Sequence, residues 1–152
     1  MEATLTGTET YRLVVASSTT LSDTALEEAI DEAASHGESV AVIIPAVLPA
    51  SLPIWAAPAR ILNRTTRLRR AARGRLDALQ VAGSVEVVPC RSVKSAIGAL
   101  CAERPPAGIV IAGSAPWRLR RAIRGLGPVT VLPTRRHVSR PRPVEGRPAL
   151  ER

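Results

Sequence analysis

The residues best placed for chemistry in this chain are Gly113 and Ser114, which end the apolar run Ala107-Gly108-Ile109-Val110-Ile111-Ala112. Such a run, closed by glycine and followed by a short arginine-rich stretch, reads as a buried strand entering a turn before a helix. In open α/β sheets, ligands sit at the carboxyl ends of strands, beside helix N-termini whose unpaired N–H groups favour anions. The chemistry on offer is therefore anion or phosphate binding, provided the residues that follow can hold the ligand.

Other chemistry finds little support. His36 and His137 fall at a helix end and in a polar tail, and no serine or cysteine stands in an order that would assemble a nucleophilic site with them. Glu27, Glu28, Asp31 and Glu32 are the only dense carboxylates and read as the solvated face of one helix. Cys90 and Cys101 lack the paired spacing of a zinc site or a disulfide framework; Cys101 is expected in the core and Cys90, at a strand end, nearer the surface. The sequence predicts no enzyme and no metal.

The elements that must position Gly113 follow from the pattern. With 152 residues, 45% hydrophobic, 2% aromatic and no Phe, the chain suits one domain whose core is packed by Val, Ile, Leu and Ala. Arg12 to Ala16 reads as a first strand. Thr24 and Glu27 have capping-box spacing before a helix whose apolar positions are Leu26, Ala29, Ile30, Ala33 and Ala34, stopped by Gly37. Ser39 to Ile44 is a second strand. Ile61, Leu68, Ala72, Leu76 and Leu79 mark one face of a second helix ended near Gly83, and Val85 to Val88 a third strand. Val93, Ile97, Leu100 and Cys101 line a third helix. The strand at Gly108, a helix from about Trp117 to Arg124, and Pro128 to Leu132 complete the series. Strands alternating with helices at these intervals predict an open five-stranded parallel sheet in the order 3-2-1-4-5 with helices on both faces, a Rossmann-like α/β fold. Residues 1–10 are expected to be a flexible N-terminus, residues 11–134 the domain, and residues 135–152 a disordered basic tail rich in Pro and Arg.

The formal charge is +8, carried by arginine with Lys94 as the single lysine. Arginines crowd the second helix at Arg60, Arg64, Arg67, Arg69, Arg70, Arg73 and Arg75, and the strand order sets them beside the acidic first helix, with which they can simply pair. An excess of base otherwise attracts nucleic acid or acidic partners. The uncharged stretch from Val40 to Pro58 is broken by Pro45, Pro49, Pro53 and Pro58, which argues against a membrane span. No signal peptide is read at the start, and a cytoplasmic location is expected.

On these residues the chain resembles a universal stress protein domain from about Tyr11 to Thr134. The resemblance is carried by Ser84 to Ser114, with its Val-Glu-Val-Val strand, its Val-Lys-Ser-Ala-Ile-Gly-Ala-Leu-Cys-Ala helix and Gly-Ile-Val-Ile-Ala-Gly-Ser, and by the closing Pro128-Val129-Thr130-Val131-Leu132-Pro133. It implies a fold of the adenine nucleotide alpha hydrolase kind. It also exposes departures where that family binds ATP. The family's Asp after the first strand corresponds to Ser17. Of the family's glycine-rich loop Gly113 remains, but Pro116 stands at the next glycine, Trp117 follows it, and Pro128 arrives early, so Gly125 and Gly127 close the fourth helix instead of opening it. Proline removes a donor and fixes φ where glycines would let N–H groups converge on a phosphate.

The sequence thus predicts a non-catalytic regulatory domain without family-type ATP binding, acting as a homodimer or through a protein partner. The apolar loop from Ala46 to Ala59, with Leu48, Leu52, Ile54 and Trp55, is the expected interface. A second reading keeps a nucleotide or small anion, ATP or another adenine nucleotide, at Ser17, Gly113, Ser114 and Arg118, with Arg120, Arg121 and Arg124 near the loop. A third is an RNA- or ribosome-associated module using Arg69, Arg70 and Arg73 with the basic tail.

Overall fold

A computed structural model of the chain describes residues 10–132; the N-terminal segment, the basic tail and its His137 lie outside the described residues. The elements run β1 (Tyr11–Ala16), α1 (Asp23–Ala34), β2 (Ser39–Val47), α2 (Ala59–Leu79), β3 (Gly83–Cys90), α3 (Val93–Glu103), β4 (Gly108–Ala112), α4 (Trp117–Ile123), a 3-10 turn (Arg124–Leu126) and β5 (Val129–Leu132). All strand pairs are parallel and the order is β3-β2-β1-β4-β5, as the alternating pattern predicts.

Two apolar layers hold the sheet. Val14 and Ala16 of β1 pack with Val42 and Ile44 of β2 against Leu26, Ile30, Leu68 and Leu76 of α1 and α2. Leu13 and Val15 face the other way, with Ile97 and Cys101 of α3 and Ile123 of α4. Because both faces are covered, the central strands are apolar at almost every position instead of alternating.

Several local expectations give way to tertiary geometry. Ser22, not Thr24, caps α1, its hydroxyl accepting from the Ala25 N–H at 3.1 Å. β2 runs on past Pro45 to Val47. The Val40 and Leu48 amides point toward β3, bonding to Ala82 and Cys90, so the odd-numbered positions of β2 turn toward β1. The ladder with β1 stops at Ile43, and Pro45 therefore lacks a donor only where no neighbour needs one. α2 ends not at Gly83 but at Gln80, held left-handed at φ 55°. Its buried face uses Thr65, which donates to the Leu62 carbonyl at 3.0 Å, while Leu79 is exposed. Cys90 is buried as fully as Cys101, and burial raises both thiols above their ordinary pKa.

At the amino end of the sheet, the buried Tyr11 hydroxyl donates to the Arg104 carbonyl, and the Arg104 guanidinium lies 4.9 Å from the ring centroid. Burial, helped by Cys101 and opposed by Arg104, raises the Tyr11 pKa from 10.0 to about 12. The fold thus favours the neutral phenol. Its contribution is whole below the unfolded value of 10.0 and is lost as pH climbs toward about 12. Tyr11 is the chain's single tyrosine, so phenolate absorbance reads it alone. The folded protein should titrate near 12 and the urea-unfolded chain near 10, with Tyr11→Phe removing this part of the alkaline loss of stability.

Candidate functional site

The strand order reverses at β1, whose neighbours are β2 on one side and β4 on the other. The crevice outside the carboxyl ends of β1 and β4 is where a doubly wound sheet holds a ligand. Ser17 and Gly113 meet there, with the Ser17 N–H bonded to the Ala112 carbonyl at 3.0 Å. Gly113 has φ +97°, a conformation that suits glycine, and a Cβ on it would run into the Ser17 hydroxyl and lie 2.9 Å from Leu21 Cδ1. Two side chains of the β1–α1 turn therefore pack directly beside Gly113.

Five of the N–H donors around the crevice have partners within the protein. Gly113 donates to the Leu132 carbonyl of β5 at 2.9 Å, Thr20 to the Ser18 hydroxyl at 3.1 Å, and Leu21 to the Ser18 carbonyl at 3.3 Å. At the start of α1 the Ala25 and Leu26 amides both go to Ser22. An anion site needs convergent amides without partners; here each of these five has one within the protein.

Leu21 is the residue that sequence reading overlooked. It is 5% exposed, packs in the α1/α2 layer, and its carbonyl accepts from Arg67 Nη2 at 2.8 Å. Its signal was visible only as a lone apolar residue within the polar stretch Ser17 to Ser22.

Ser114 adjoins Gly113 at the strand end, and Arg118 lies in the first turn of α4. Ser114 and Arg118 are exposed, and the Arg118 guanidinium lies 5.8 Å from the centroid of the Trp117 ring. Arg120 and Arg124 line a cleft beside Gly127, Pro128, Val129 and Val131, at the β5 edge. The helix they occupy starts on Pro116 without a side-chain cap. His36 lies 3.7 Å from Glu32 on the surface, and no cluster of metal-ligating residues occurs among the described residues.

The loop after β2 divides. Ala46 and Leu48 are buried, Leu48 donates to the Cys90 carbonyl at 2.9 Å, and Arg91 reaches the Pro49 carbonyl at 2.6 Å. Beyond this anchorage Ile54 and Trp55 are exposed, Trp55 at 84%. With Trp117 at 59%, both tryptophans of the chain face solvent at the carboxyl end of the sheet.

On α2 the arginines separate into two sets. Arg75 makes a two-pronged pair with Asp31, both contacts at 2.7 Å, and Arg67 pairs with Asp23. Pairing between α1 and α2 is the expected use of this charge, and these two residues fulfil it. Arg69 and Arg70 remain exposed, and with Arg73 they line a shallow cleft on the outer side of the helix.

These features define an open, doubly wound parallel α/β domain with its topological switch point between β1 and β4. No protein-family model matches the sequence, and no curated protein does. Solved structures do match. A protein of the universal stress protein family from Burkholderia pseudomallei aligns at 19% identity over 80% of this chain and 95% of its own, with a TM-score of 0.57. A universal stress protein from Archaeoglobus fulgidus aligns at 17% identity over 82% and 95%, with a TM-score of 0.60. The fold is that of the universal stress proteins. No helix among the described residues is long and apolar enough to cross a membrane.

Proposed function

We propose that this chain is a non-catalytic regulatory domain of the universal stress protein kind that has lost nucleotide binding and acts in the cytoplasm through a homodimer or a protein partner. The observation that carries the reading is at Gly113. Ser17 and Leu21 occupy the space beside it, and its N–H is bonded to Leu132. A hydroxyl at Ser17, where the resemblance puts an aspartate, leaves no charge to orient a ribose or adenine. Association is supported by Trp55 and Trp117, since large exposed aromatic side chains are what interfaces bury most profitably.

Isothermal calorimetry with ATP, ADP, AMP and cyclic nucleotides tests the loss of binding. No saturable heat is expected from any of them at millimolar concentration. Saturable binding that disappears in Arg118→Ala would overturn the reading and favour a residual anion site beside Ser114.

A further inference from the structure

We infer that the outer face of α2 is a binding surface for the phosphate backbone of single-stranded RNA, contacted by Arg69, Arg70 and Arg73. This is independent of the crevice at β1 and β4. The division of arginines along α2 is the starting observation. Arg67 and Arg75 turn toward α1, where Asp23 and Asp31 meet them. At about 3.6 residues per turn, positions 69 and 73 fall on the flank away from that contact and position 70 between the two; Arg70 borders a cleft with Asp23, Glu27 and Arg67 on the α1 side, and all three arginines share an outer cleft with Thr66, Gly74 and Asp77. Asp77 is the only carboxylate in the helix.

Three arguments select the occupant. First, the chain carries +8 and this face is rich in arginine, so it repels the same face of a second copy while it attracts a polyanion. Second, arginine grips phosphate through paired N–H groups, whereas this face offers no aromatic ring for a base; contact is with the backbone and indifferent to sequence. Third, α1 lies against α2 and presents Glu27, Glu28 and Glu32. Packed helices are about 8–10 Å apart, so a broad duplex laid on α2 would overlie those carboxylates. A single strand passing along the far flank avoids them.

The test is fluorescence anisotropy of a labelled oligouridine with the full chain at two salt concentrations. For about three contacts to a single strand, a threefold rise in salt should weaken binding about tenfold. Arg69→Glu/Arg70→Glu/Arg73→Glu should weaken it at least tenfold at low salt, with the circular dichroism spectrum unchanged. Arg69→Gln/Arg70→Gln, a milder change, should lower the slope of log affinity on log salt by about 1.4. Arg135→Glu/Arg136→Glu/Arg140→Glu carries the same charge change into the tail and should cost less affinity than the helix variant.

Each other result overturns the proposal. Binding lost equally in the tail variant would mean net charge or the tail is responsible. No binding at low salt, or binding indifferent to salt, would remove the phosphate contact. Tighter capture by phosphatidylserine vesicles than by RNA would assign the face to a membrane, and self-association through the same arginines would assign it to a second copy.

Discussion

Gly83→Ala is expected to destabilise the folded protein by about 3 kcal/mol, the upper part of the range for forcing extra volume into a packed site. A Cβ at Gly83 overlaps the Val40 carbonyl oxygen, lies 3.1 Å from its carbon, and is 3.5 Å from Leu76 Cδ1. The obstacle is backbone, which cannot rotate aside. Val40 also donates to the Ala82 carbonyl at 3.0 Å, so relief requires the β2–β3 junction to part at its first hydrogen bond. In a domain of this size each kcal/mol shifts Tm by about 2–4 °C, which puts the loss near 10 °C. Gly74→Ala supplies the opposite sign from the same chemical change. Gly74 is exposed in the interior of α2 with nothing within 4 Å of its would-be Cβ, so alanine there should stabilise by about 0.5–1 kcal/mol. Urea unfolding of both variants measures the contrast, and equal effects would mean that Gly83 is not held against Val40.

Gly83 also shows where sequence reading reaches its limit. The order of elements was legible because hydrophobic period and turn residues are local properties. Tyr11 to Ala16, Gly108 to Ala112 and the apolar stripe of α1 needed nothing beyond them. The same glycine signal misled at Gly83, which suggests a helix stop; the stop is made by Gln80 in a left-handed conformation that few residues adopt. Close approach of two strands, the reason for Gly83, is a tertiary fact. Pro45 is similar. A proline within a strand normally argues against the strand, and only the end of the β1 ladder at Ile43 makes it harmless. Thr65 is buried where a helical wheel favours Leu79, because its hydroxyl is satisfied by the Leu62 carbonyl.

The candidate site divides in the same way. That Gly113 ends a central strand, and that Ser17 stands across from it, could be read from composition and from the resemblance. That the Gly113 N–H is taken by Leu132, or that Leu21 packs beside Gly113, could not, since both depend on β5 and α2 arriving from distant parts of the chain. The resemblance located the crevice. Its hydrogen bonds are visible only in the folded chain.

The packing of Ser17 against Gly113 has a thermodynamic signature. Gly113→Ala should destabilise by about 3 kcal/mol, combining backbone strain of order 1–3 kcal/mol with steric overlap. The strain follows from φ +97°, and the overlap from the Ser17 hydroxyl, with Ser17 Cβ at 3.4 Å and Leu21 Cδ1 at 2.9 Å. Ser17→Gly removes the hydroxyl and the Cβ while leaving φ and Leu21 unchanged. In that background Gly113→Ala should therefore be milder by about 1–2 kcal/mol, within the range measured for residues in direct contact. Urea unfolding of the two single variants and the double variant gives the coupling directly. The sign matters as much as the size: a favourable coupling means that the Ser17 side chain fills the volume beside Gly113. Additive effects would instead mean that the strand end stands open and that alanine is opposed by φ alone. Steric filling would then no longer support the proposed loss of nucleotide binding, which would rest on the bond from Gly113 to Leu132.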